Sequence, residues 1–237
     1  FNNEGFPNKK LEDWKFTDIK KIILDNFTEL KPNENSTGDV KINFIKDFDH
    51  NYILVINGDL HSQNLKYENQ NNFTIESFSN EKKQNENLNN SLLHLNNALS
   101  RGGYFLKVNS NYKFNKPLII YNYFTKNMKD KIINNKNFIY LKDNSSLELF
   151  DLNFDTSTNS FFQNSLTNIV LKENSCLKNY QIQMNSSKNL NYKYHLVNLA
   201  TNSNYEKYIF NSGLKLSKLD EEINITGEKV SCAIQSS

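Results

Sequence analysis

The chain has 237 residues and a formal net charge of +2 from 28 basic and 26 acidic side chains, enough length for one large domain or two small ones with a sizeable core. With Arg101 the only arginine and no block of either sign, the chain lacks the basic stripe of a nucleic-acid binder, and no stretch approaches the roughly 18 apolar residues of a membrane span. The two cysteines, Cys176 and Cys232, form no Cys-x-x-Cys, which argues against a zinc site or disulfide framework and fits a reducing compartment.

The mean hydropathy of -0.70 reflects 43 Asn, while 17 Phe and 12 Tyr supply large buriable side chains. A folded chain is expected. No signal-peptide core is visible, although the first residue is Phe1, and the expected location is cytoplasmic.

Residues 8 to 30 read as helical, with Thr17 as cap and Ile19, Ile22, Ile23 and Phe27 on one face that Leu11 and Trp14 could cover. Residues 31 to 39 have turn composition. Tyr52 to Ile56 then reads as a strand ending in the turn Asn57-Gly58, and Phe73 to Phe78 as another. Leu92, Leu93, Leu95, Ala98 and Leu99 have helical spacing, stopped by Gly102-Gly103. The reading places an N-terminal helical and mixed region at 1–100 and a β region at 101–237.

The β region carries an internal repeat. Leu141-Lys-Asp-Asn-Ser-Ser-Leu147 returns as Leu171-Lys-Glu-Asn-Ser-Cys-Leu177 and again as Leu199-Ala-Thr-Asn-Ser-Asn-Tyr205. Asn109-Ser110-Asn111-Tyr112 reads as an earlier copy, offset by 35 through an insertion at Lys126 to Lys136. An Asn-Ser corner between apolar runs at this period predicts a right-handed parallel β-helix, or β-solenoid, after a small α/β N-terminal region. Its coils should bury aliphatic and aromatic side chains, with Leu141, Leu171 and Leu199 stacked. The competing fold is a β-sandwich.

No residue is nominated as catalytic, cofactor-binding or metal-binding. Cys176 reads either as a small buried hydrophobe or as an outward thiol at a corner, and Cys232 likewise. His50, His61, His94 and His195 are scattered; most should lie at the surface or core edge, with His94 packed on its helix. Gly102-Gly103 belongs to no phosphate-loop motif. Glu148, Asp151 and Asp155 could mimic the acidic cluster of a β-helical enzyme acting on polysaccharide, the main alternative function.

Gly5-Phe-Pro-Asn-Lys-Lys-Leu-Glu-Asp-Trp-Lys-Phe-Thr17 resembles the opening signature of the SufD family, and separates it from the paralogous SufB. Leu54-Val-Ile-Asn57-Gly58, Leu95-Asn-Asn-Ala98-Leu99, Pro117 to Ile120, Asn168 to Gln183, Gly213 to Ser217 and Ile225 to Glu228 are similar to later family segments in the same order, with Lys218 where the family commonly has Arg. The resemblance implies a non-catalytic scaffold for iron–sulfur cluster assembly, paired with SufB and carrying the SufC ATPase. Such a scaffold is expected to hold no cofactor of its own, and the composition points to neither nucleic acid nor membrane as a partner; a SufB-like paralogue is the nearest alternative. It also implies that the SufB-pairing rungs, a metal-linked histidine region and a C-terminal helical domain that docks SufC lie beyond residue 237. The strand Val230 to Ile234, with neither Pro nor a cap, is then expected to leave an association-prone edge.

Overall fold

A computed structural model describes residues 5–7, 9–33, 42–78, 90–155 and 160–237, with all their side chains except those of residues 126, 155 and 184–188. Helix α1 (Ile19–Asn26) is capped by Asp18, whose carboxylate accepts the Lys21 backbone N–H at 3.0 Å. The cap is therefore Asp18 rather than Thr17, and the expected helix over 8 to 30 shortens to this segment and a 3-10 turn at Glu12–Trp14. Ile19, Ile23, Phe27 and Trp14 are buried as the spacing predicts, but Leu11 is exposed.

Strand β1 (Lys31–Pro32) is a two-residue edge. Strand β2 (Asn51–Ile56) turns through Asn57 and Gly58, at φ of 52° and 93°, into the antiparallel β3 (Asp59–Asn64). Two left-handed turn residues are what a tight hairpin requires. Strand β4 (Phe73–Ser77) and helix α2 (Ser91–Leu99) follow. Ser100 leaves α2 in an extended conformation, so Gly102-Gly103 does not cap it. The pair serves a close crossing instead: a Cβ on Gly103 would lie 1.7 Å from the Lys136 carbonyl oxygen.

The rest is a β-solenoid of about four turns. Strands β5 (Tyr104–Val108), β6 (Leu118–Phe124), β7 (Lys131–Leu141), β8 (Ser146–Asp155) and β9 (Phe162–Leu171) lead to the long β10 (Cys176–Leu199), β11 (Asn204–Ile225) and the short β12 (Ser231–Ser236). Each long strand bends through both walls of the coil. The first half of β10 pairs in parallel with β8 and its second half with β9, and β11 then follows β10 along both halves. Strand β2 joins the same sheet beside β6, and the antiparallel pair β4–β5 joins beside β7, so hydrogen bonding continues across residue 100.

Leu141, Leu171 and Leu199 are register partners with no exposed surface, as the repeat predicts. At the corners, Asn111, Asn144, Asn174 and Asn202 all have φ between 55° and 63°. Asparagine tolerates this left-handed conformation better than other side chains. Each amide also donates to the preceding one, Asn144 to Asn111, Asn174 to Asn144 and Asn202 to Asn174, all at 3.1 Å. The first step is 33 residues rather than the expected 35, because Asn111 and not Asn109 stands in the ladder. Nor do residues 126 to 136 form an insertion: they supply a 3-10 turn at the opposite corner and the start of β7, where Ile132 pairs with Phe162.

The outer faces are covered unequally. Trp14, α1 and α2 pack over Phe162, Leu166, Leu190 and Tyr192 on one wall. Ile42, Phe44 and Ile45 lie over Tyr121 and Tyr123 on the other, where the two phenol oxygens accept backbone N–H groups from Ile45 and Asn43. The buried Glu68 carboxylate ties the N-terminal loops to the first coil, accepting from the Asn51 amide at 2.8 Å, the Tyr112 hydroxyl at 2.6 Å and the backbone N–H of Lys116 at 3.1 Å.

Candidate functional site: the polar half of the lumen

Strand alternation sends every second side chain into the coil. On the first half of β10 the interior residues are Leu177, Asn179, Gln181 and Gln183, all buried; on its second half they are Asn191, Lys193, His195, Val197 and Leu199, also buried. The lumen is thus apolar beside the asparagine corners and polar away from them. The expected aliphatic and aromatic filling is found in the half beside the corners. The signal for this seam in the sequence is strand alternation across these Asn, Gln and Lys positions.

The polar half centres on Lys207, which has no exposed side-chain surface. Its ammonium donates to Glu221 Oε2 at 2.8 Å and to His195 Nδ1 at 2.6 Å, and the Tyr205 hydroxyl donates to Glu221 Oε1 at 2.7 Å. Nδ1 accepts from the ammonium, so the imidazole proton is assigned to Nε2. Burial, reinforced by the Lys207 and Lys193 charges, holds the His195 pKa well below its ordinary value, leaving the ring neutral. Burial also lowers the Lys207 pKa, against the opposing pull of Glu221. Deeper along the axis, Lys193 pairs with Asp151 at 3.4 Å.

Cys232 faces Tyr205 across the β11–β12 register, above the cluster. The residue is exposed, and partial desolvation first, then the Glu221 carboxylate, raises its thiol pKa. This is the reverse of what activates a cysteine nucleophile. Cys176 is half-buried one residue before the interior Leu177, on the outward side, and accepts from the Asn204 amide at 3.6 Å; burial raises its pKa too. It is not a core hydrophobe.

The histidines do not converge. His50 bonds the Tyr121 hydroxyl at 2.9 Å, His61 is exposed, and His94 is exposed rather than packed. His195, expected at an edge, is among the most buried polar residues. Alternation also divides the acidic trio: Asp151 lies on the interior side with Leu149, Glu148 on the exterior side, and the Asp155 side chain lies outside the described ones. Among the described residues no three His, Cys, Asp or Glu side chains gather as a metal site, and no helix is long and apolar enough to cross a membrane.

The N-terminal signature acquires a physical role. Trp14 is buried with its ring 5.5 Å from that of Tyr192 and under the Lys218 ammonium at 5.0 Å; the Tyr192 hydroxyl donates to Asp220 at 2.9 Å and accepts from the Asn90 amide at 2.7 Å. The segment therefore latches the start of the chain onto its third and fourth coils. Residues 1–120 match the family model of the SufBD protein N-terminal region, and residues 123–237 match that of the SUF system FeS cluster assembly SufBD core domain. The chain belongs to the SufB/SufD family. Membership places it in the SUF system of iron–sulfur cluster assembly. A search of curated proteins gave no match. In this SufB/SufD chain the family's two regions meet within β6, the strand that joins the N-terminal hairpin to the coil.

Proposed function

We propose that the chain is a SufD-type scaffold subunit that works in a cytoplasmic complex with SufB and the SufC ATPase, catalyses no reaction and holds no resident cofactor, the cluster being the cargo of the assembly. The observation that carries the reading is the pair of family matches running end to end over a β-solenoid. The SufD assignment, as against SufB, rests on the Gly5 to Thr17 segment, whose Trp14 is the buried latch. The scaffold role is supported by the ionic cluster: its carboxylate and ammonium satisfy each other, its histidine is neutral and its neighbouring thiol is held protonated. The polysaccharide-enzyme alternative loses its acidic pair to opposite sides of a strand.

The test is co-expression of the full gene product carrying this chain, affinity-tagged, with the SufB and SufC proteins of the same genome. Recovery of a stable complex of the three, with ATP hydrolysis abolished when SufC is omitted, is the expected result. Recovery of the tagged protein alone, or hydrolysis of oligosaccharides by it, would overturn the proposal.

A further inference from the structure

Three carboxamides of the third coil, Asn179, Gln181 and Asn191, are each at least nine-tenths buried, and the side-chain oxygen of each has no hydrogen-bond donor among the described residues. They line the polar half of the lumen from both walls: Asn179 and Gln181 are successive interior positions of β10, and Asn191 stands opposite, donating its own amide to Gln183 Oε1 at 3.2 Å. The neighbouring cations are engaged, Lys207 with Glu221 and His195, and Lys193 with Asp151. A buried acceptor left without a donor costs more than an ordinary internal hydrogen bond returns.

The missing partner must be small, must donate, and must add no charge, because Lys193 and Lys207 are already balanced by Asp151 and Glu221. A guest cation would sit among two ammonium groups. We propose that the third-coil lumen is a hydration site, in which ordered water molecules donate to Asn179 Oδ1, Gln181 Oε1 and Asn191 Oδ1 and bridge the Lys193–Asp151 pair to the Lys207–His195–Glu221 cluster. The Asp151 side chain, 22% exposed, gives this water a path of exchange with solvent.

Two measurements test it. In the wild-type protein, NMR water–protein cross-relaxation should appear at the side-chain amides of Asn179, Gln181 and Asn191. In Gln181→Leu and Asn191→Leu, Tm should fall by roughly 2–6 °C, because bridging water loses an anchor. A dry lumen predicts the opposite: no water signal at these amides, and a Tm that is unchanged or raised when an orphaned carboxamide becomes leucine. A wild-type Tm that drops when sodium and potassium are replaced by tetramethylammonium at constant ionic strength would also overturn the proposal, in favour of a bound cation. If a leucine variant fails to fold, the wild-type water signal alone decides.

Discussion

Within one coil the lumen passes from Leu177, Val197 and Leu199 beside the asparagine corner to Gln181, Lys193 and His195 a few residues away, all of them buried. Both halves obey the same strand alternation, yet they hold the walls together by different physics. Apolar stacking is non-directional and grows with buried area, so any well-filled aliphatic column serves. The polar half works only while each charge keeps its partner, because an unpaired ion away from water is costly. One half therefore supplies most of the cohesion, and the other fixes which groups must meet.

Glu221→Leu should do the greatest damage, about 3–5 kcal/mol by urea unfolding, since it strands the Lys207 ammonium beside a neutral histidine. A loss under about 1 kcal/mol would show the pair to be solvated. Leu171→Ala, in the middle of the apolar column, should cost about 2–4 kcal/mol, and a near-neutral result would break the claim that this column carries the coil. Acid offers a milder probe of the polar half. The unfolded state protonates His195 near its ordinary value of 6.5 while the fold holds it neutral, so stability should be full above pH 6.5 and decline as pH falls below it. The slope contribution is at most ~1.4 kcal/mol per pH unit, and His195→Gln should flatten it. The corners give the smallest effects. Asn174→Ala should cost about 1–2 kcal/mol at its φ of 55°, and Asn174→Gly less. Conversely Lys229, which takes φ of 55° at the last corner without an asparagine, should gain about 0.5–1 kcal/mol as Lys229→Asn.

Much of the apolar half is legible in the sequence, because Leu141, Leu171 and Leu199 recur with the Asn-Ser corner and the 30- and 28-residue steps are the register itself. The first step is ambiguous in the sequence since two asparagines, 109 and 111, compete for the corner and only geometry shows which one turns left-handed. The polar half was illegible for a compositional reason: among 43 Asn, those inside the coil look like those at its corners. His195, Lys207 and Glu221 lie 12 and 14 residues apart, a separation set by the bend of the coil and matching no local motif. Trp14 is visible as a family signature, but its contact with Tyr192 joins segments far apart in the sequence and needs the fold to be seen.

Whether mutual pairing of its buried charges holds the polar half together is measured directly by a double-mutant cycle. Lys207→Met, Glu221→Leu and the combined variant would be unfolded in urea at pH 7.5. Pairing predicts that the double variant recovers at least about 2 kcal/mol relative to the sum of the single losses. Additivity within about 0.5 kcal/mol would contradict it, showing that Lys207 and Glu221 do not depend on one another.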